Sequence, residues 1–231
     1  MKLAVIPARG GSKRIPRKNI KLFHGKPMIA YAVTAALVSK AFDKVIVSTD
    51  DDEIAQVAQA YGAEVPFVRP TELADDHTPT VPVIAHAIAE CQNMGWDVEE
   101  VCCIYPGVPF ISSKDLCAAH EQLLSTGAHY VFPVTGYPSP IQRALRRLPD
   151  GSVKPFQPEH AATRTQDLEP YYFDVGQFYW GKTSAWLQGL NLHLNGVTLV
   201  IPEWRVVDID TPADWERAEL LYATLSENGQ L

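Results

Sequence analysis

Acidic side chains are missing from the start of this chain. Residues 1 to 42 contain nine Lys or Arg and no Asp or Glu, although the full 231 residues carry 20 basic and 27 acidic side chains and a formal net charge of −7. A deficit this local in an acidic protein points to an anion site, while the negative total excludes general adhesion to nucleic acid or to anionic membrane surfaces. Cysteine is scarce. The four present (Cys91, Cys102, Cys103, Cys117) show neither paired CxxC spacing nor a disulfide framework, so they read as buried thiols in a reducing compartment. Vicinal Cys102 and Cys103 lie inside an apolar run and read as strand packing. No apolar run approaches a membrane span, and the opening one is too short for a secretory signal. The expectation is a cytoplasmic protein.

What is there alternates. "KLAVIP", "KVIVST", "AEVPFVRP", "VEEVCCIYP" and "HYVFPVTG" read as strands, short apolar runs of the kind buried on both faces of a parallel sheet. Between them, "PMIAYAVTAALVSKAF", "DDDEIAQVAQAYG", "TVPVIAHAIAECQNMG" and "SSKDLCAAHEQLLSTG" have helical length and period. Asp50 and Glu53 stand in capping-box spacing, and Gly62 is a stop. The rhythm gives an α/β fold, a mainly parallel twisted sheet with helices on both faces. It breaks at residues 137–169, where a Pro-Asp-Gly turn between two short strands marks a hairpin-bearing excursion from a single domain spanning 1–231. Thr211, Pro212 and Asp214 then start a final helix.

The cations cluster in "RGGSKRIPRKN", between the first strand and the first helix, at the sheet edge where open α/β proteins bind ligands. Gly10 and Gly11 let the backbone approach an anion and turn N–H groups toward it. Ser12 adds a hydroxyl, and Arg9, Lys13 and Lys18 can neutralise several charges, a mixture suited to a polyphosphate. Neither GxxxxGK[ST] nor GxGxxG is present, so the P-loop and the dinucleotide fingerprint are excluded. In "VVDIDTPADW", Asp208 and Asp210 lie two apart in an extended stretch, so both carboxylates can approach one divalent cation. Mg2+ takes one or two carboxylates and completes its shell with waters and phosphate oxygens. "YYFDVGQFYW" packs six of the chain's 22 aromatics into ten residues. Core strand packing is the more frequent reason for such density, yet Asp174, Gly176 and Gln177 interrupt it, which would leave polar groups among aromatic walls, Tyr179 among them, for a polar ligand with apolar groups.

"IPARGGSKRIPRKN", "STDDDEIA", "VRPTELADD" and "VDIDTPADWERAE" together resemble the N-acylneuraminate cytidylyltransferases, or CMP-sugar synthetases. "RTQDLEPYYFDVGQFYWG" is most similar to the branch that activates pseudaminic acid. The resemblance implies a nucleotidyltransferase fold and a homodimer joined through the excursion. It also implies transfer of CMP from CTP to a nine-carbon keto acid sugar, with Mg2+ as cofactor and pyrophosphate released. It further implies that Arg9, Lys18 and Asp210 are catalytic, that Asn19 holds the nucleotide or the loop, that Arg69, Thr78 and Thr80 lie near the cytosine, and that Arg164 meets the sugar carboxylate or crosses the dimer. Where sialic-acid members carry a "QPTSPLR"-like loop this chain has "YPGVPFI". Tyr105 thus replaces a glutamine at the sugar-reading position, which points away from sialic acid and toward a differently substituted nonulosonate.

Two other classes compete. "DIDTP" begins like the DxDx[TV] of haloacid-dehalogenase-type phosphatases, but proline takes the fifth position and the segment follows an already built sheet. A noncatalytic nucleotide-binding protein would not need both the basic loop and the aspartate pair.

Overall fold

The computed structural model describes residues 1–75 and 77–229. In chain order the elements are β1 (Lys2–Pro7), β2 (Leu22–Phe23), β3 (Lys26–Pro27), α1 (Met28–Ser39), β4 (Lys44–Ser48), α2 (Asp52–Ala60), α3 (Thr80–Asn93), β5 (Glu100–Ile104) and α4 (Ser113–Thr126). They continue with β6 (Tyr130–Gly136), β7 (Leu145–Arg147), β8 (Val153–Pro155), β9 (Tyr172–Asp174), β10 (Phe178–Lys182), α5 (Thr183–Leu187), β11 (Gly196–Val200) and α6 (Pro212–Glu227). The main sheet runs β11-β6-β10-β5-β1-β4, with β9 also on β6. β1 is parallel to β4 and β5, and β11 to β6, whereas β9 and β10 run antiparallel to their neighbours. Because β10 is reversed, its amino end lies at the edge where β1 and β5 end.

Strand alternation sorts the core into two layers. Ala4, Ile6, Val45, Val47, Cys102 and Trp180 pack with α1, α2 and α4. Leu3, Val5, Ile46, Cys103 and Tyr179 pack with α3 and α5. Cys102 and Cys103 therefore face opposite layers, and burial pushes both thiols well above their ordinary range. A third cluster joins Ile15 of the basic loop, Phe23, Met28 and Phe110 to Ile209 and to Trp215 of α6. It places the loop against the segment that carries Asp208 and Asp210. Among the described residues no helix is long and apolar enough to cross a membrane.

Two local expectations are corrected. "AEVPFVRP" makes only isolated bridges to the β4 edge, Ile46 to Glu64 and Thr49 to Val68; between them Pro66 has no N–H to continue a ladder. The cap of α2 is Asp51, whose carboxylate accepts from the Ile54 N–H at 3.0 Å, not Asp50, which accepts instead from the Gly10 N–H at 3.0 Å. The Pro-Asp-Gly hairpin forms as read: β7 pairs with β8, and Gly151 takes φ +87° in the turn.

Candidate active site

At the carboxyl edge of β1 and β5 lies a cleft of about 630 Å3. Its walls come from five segments brought to one edge by the topology: the basic loop, the Arg69–Thr80 region, Tyr105–Val108 after β5, the Val175–Gln177 bulge between β9 and β10, and Val207–Asp210. Of the residues singled out from the sequence, Arg9, Ser12, Lys13, Lys18, Asn19, Arg69, Thr78, Thr80, Tyr105, Gln177, Asp208 and Asp210 all line it.

The loop is held by its own polar groups. The Asn19 amide donates to the Arg9 carbonyl at 3.0 Å, so Asn19 fixes the loop. The Ser12 hydroxyl donates to the Ile15 carbonyl at 2.6 Å. Gly10 directs its N–H at Asp50 rather than at open space, and the reason for its missing side chain is packing: an added Cβ would lie 2.7 Å from Asp51 Oδ2. Arg17, in left-handed conformation at φ +55°, pairs with Asp51 through both Nη groups and also reaches Glu53.

Opposite the loop, Ile209 is buried and its neighbours Asp208 and Asp210 reach the cleft, as an extended backbone requires. Asp210 meets Arg14 at 2.8 Å and the Lys18 ammonium at 3.7 Å, and Lys18 also donates to the Ile209 carbonyl. Arg14 was not singled out from the sequence; the signal was its place next to Ile15, which is anchored in the same cluster as Ile209. No group of three or more His, Cys, Asp or Glu that could hold a metal occurs among the described residues. Two carboxylates on an open wall beside a cationic loop fit a hard cation that takes the rest of its ligands from water and phosphate.

The far wall is more buried. Arg69 is only 4 % exposed. It donates to the Ser48 carbonyl at 2.5 Å while its Nε has no partner, and burial lowers its proton affinity. The Thr80 and Tyr105 hydroxyls share a hydrogen bond of 2.6 Å, and burial pushes the Tyr105 phenol up to about 12. Thr78 instead gives its hydroxyl to Asp75 at 2.7 Å. Gly107 lets the Lys18 stem pass, since a Cβ there would sit 3.1 Å from Lys18 Cε.

Three residues expected to touch the sugar do not line the cleft. Tyr179 points into the apolar layer and gives its hydroxyl to Asp174 at 2.9 Å; Gln177 belongs to the bulge that precedes β10, so the two residues do not share a face although they lie two apart. Asp174 also accepts from the Gly176 N–H at 2.9 Å and meets His193 at 2.8 Å, so it shapes the bulge from behind. Arg164 lies in the excursion, exposed and paired with Asp167 at 2.7 Å.

The model of the family described as cytidylyltransferase matches residues 3–169. A pseudaminic acid cytidylyltransferase of Campylobacter jejuni is 41% identical over 98% of each chain. A CMP-N,N'-diacetyllegionaminic acid synthase of Legionella pneumophila is 33% identical over 95% of each. Among solved structures, a CMP:2-keto-3-deoxy-manno-octonic acid synthetase complexed with CTP superposes with a TM-score of 0.69 at 19% identity, covering 96% of this chain and 98% of its own. At that identity the likeness speaks for the nucleotidyltransferase fold alone. With the family model covering most of the chain and full-length relatives above 30% identity, the chain belongs to the cytidylyltransferase family.

Proposed function

We propose that this enzyme transfers CMP from CTP to the anomeric hydroxyl of pseudaminic acid. The observation that carries the reading is the convergence, in one cleft, of the cationic loop with Asp208 and Asp210. The relative of 41% identity, named for pseudaminic acid, supports the sugar. The anomeric hydroxyl gives up its proton to solvent as its oxygen forms a bond to the α-phosphorus, the bond from that phosphorus to the bridging oxygen breaks, and its electron pair leaves with pyrophosphate. Arg9, Lys13 and Lys18 are placed to receive the triphosphate and to stabilise charge as it builds on the leaving group. Asn19 keeps the loop in register. Gly10 contributes by compactness, Gly11 keeps the backbone beside Arg9 open to the phosphates, and Ser12 adds its hydroxyl to the same wall. Asp208 and Asp210 would hold Mg2+, which when bound neutralises phosphate charge and orients the chain of phosphates.

On the nucleoside side, Arg69, Thr78 and Thr80 form the wall for the base; on the sugar side stand Tyr105, Gly176 and Gln177, with Asp174 and Tyr179 behind them. The same reading includes a homodimer. Leu145, Val153 and Phe156 of the excursion are each more than half exposed, an apolar surface suited to a second copy that would carry Arg164 toward the partner cleft. It also sets the reaction in the cytoplasm, where CTP is available.

The test is pyrophosphate release from CTP and Mg2+ with pseudaminic acid, N-acetylneuraminate, legionaminate or 3-deoxy-manno-octulosonate offered separately. Release with pseudaminic acid well above the others is expected. Preference for another acid would overturn the sugar assignment, and silence with all four from protein that binds CTP would overturn the reaction.

A further inference from the structure

We infer that Gln177 determines specificity for the acceptor sugar, with its amide locked as a hydrogen-bond acceptor, and that the Asp115–Arg205 ion pair is what locks it. The inference rests on the proposed activity and deepens its sugar side.

Gln177 closes the bulge between β9 and β10. Its main-chain carbonyl accepts from the Tyr105 N–H at 2.9 Å, so it keeps register with the loop that replaces the sialic-acid motif. Its side-chain Nε2 donates to the Arg205 carbonyl at 2.9 Å. A carbonyl can be met only by the NH2 half of an amide, so the orientation is forced and Oε1 is the half left over. Oε1 has no partner, although the side chain is only 4 % exposed. A buried acceptor without a donor is costly, and a group on a cleft wall is where a ligand can supply that donor.

The carbonyl that imposes this orientation is itself anchored. Arg205 ends a single 3-10 turn, Glu203–Arg205, too short to hold its own position. Its guanidinium reaches Asp115 with both Nη groups, Nη2 at 3.3 Å, and both side chains are largely buried. Asp115 lies in the first turn of α4, where a carboxylate suits the helix end and the backbone is rigid. The aspartate segment beyond it has its own anchors in Ile209, Arg14 and Lys18, so the ion pair bears on the Gln177 amide.

Around Gln177 the wall is Tyr105, Val175, Gly176 and Val207, and the Tyr105 hydroxyl is already shared with Thr80. Such a wall selects a donor set among apolar groups: an acylamino N–H or a hydroxyl. A sugar acid without a donor at that depth would leave Oε1 unpaired and bind less well.

The test separates sugar from nucleotide in the full chain. Pseudaminic acid and 3-deoxy-manno-octulosonate are titrated calorimetrically into protein saturated with α,β-methylene CTP, and nucleotide affinity and turnover are measured alongside. Gln177→Leu should weaken pseudaminic acid by about tenfold or more, with nucleotide affinity unchanged. Arg205→Met should give a smaller loss of the same kind, and Arg205→Lys should recover part of it. If Gln177→Leu also weakens the octulosonate in proportion, the donor is a hydroxyl common to both; if the octulosonate is unaffected, the donor is the acylamino N–H. Should the leucine variant not fold, Gln177→Met carries the same measurement. Unchanged sugar affinity, or equal losses for sugar and nucleotide, would overturn the inference while wild-type turnover keeps the activity standing. A wild type that binds the nucleotide analogue and neither acid would remove the activity, and the inference with it.

Discussion

Gly10→Ala tests whether the basic loop is placed by packing against α2. The new Cβ would stand 2.7 Å from Asp51 Oδ2, 3.1 Å from its Cβ and 3.2 Å from its Cγ. Turning the carboxylate away clears the first contact but not the second, so the loop must shift as well. The turn removes the acceptor that caps Ile54 and breaks the pair with Arg17. Losing the cap costs about 1 kcal/mol. The ion pair, with Arg17 39 % and Asp51 20 % exposed, adds at most about 1 kcal/mol after solvent screening. A total of about 1–2 kcal/mol lowers the melting temperature of a chain this size by about 2–8 °C, and the displaced loop should raise KM for CTP more than KM for the sugar. The assay is thermal and urea unfolding of Gly10→Ala, Asp51→Ala and the double variant, with steady-state kinetics on each. If the reasoning holds, Gly10→Ala costs less once Asp51 is alanine, because the cap and the ion pair are then already gone and only the 3.1 Å Cβ contact remains. An undiminished penalty in the Asp51→Ala background would refute it.

Asp210→Asn should lower Mg2+-dependent turnover by more than about a hundredfold, because charge stabilisation by the metal is worth several kcal/mol, while CTP binding measured without metal persists; undiminished turnover would remove Asp210 from the metal site. Acid should destabilise the fold through Asp51 and Asp214. Hydrogen bonds hold both carboxyls below the ordinary carboxylate range, from Arg17 first for Asp51 and from the Thr211 hydroxyl first for Asp214. Their contribution is therefore complete above the unfolded value of about 3.9 and lost as pH falls through the lower folded values, and a urea midpoint in Asp51→Asn that falls as steeply with acid as the wild type would contradict this. Under the proposed homodimer, Phe156→Asp, at a residue 63 % exposed in the excursion, should shift sedimentation toward monomer, and an unchanged dimer would exclude this face as the interface.

The fold was legible where a single residue type decides the outcome. Gly127 ends α4 at φ +67°, Thr211 and Asp214 form a reciprocal capping box on α6, and the Pro-Asp-Gly turn makes its hairpin. Legibility failed where two candidates differ only in what they meet across the molecule. Asp50 and Asp51 are equally good caps in sequence; which one caps is set by Arg17, 34 residues away, claiming Asp51 and by Gly10 claiming Asp50. "AEVPFVRP" carries enough apolar residues for a strand, yet Pro66 falls where the ladder needs a donor. The reversal of β10 had no local signal either, since an antiparallel strand buried on both faces has the same apolar run as a parallel one.

The site divides along the same line. Charge density gave the basic loop, and two-residue spacing gave Asp208 and Asp210, because both are properties of one segment. The partners that hold those charges come from elsewhere in the chain. Arg14 and Lys18 answer Asp210, and Asp115 answers Arg205 across 90 residues. The aromatic run shows how alternation misleads when a strand is interrupted. Tyr179 and Gln177 are two apart and would share a face in a regular strand, but Val175–Gln177 bulges out between β9 and β10, and only residues of the bulge reach the cleft. A bulge adds residues to one strand against its partner, so every side chain before it loses the parity of those after it. Half of the aromatic run is core, Phe178, Tyr179 and Trp180, while Tyr171 and Tyr172 stay exposed; the polar residues that interrupt the rings shape the cleft wall, Asp174 from behind, Gly176 by its turn at φ +64°, and Gln177 on the wall itself with its amide oriented by Arg205.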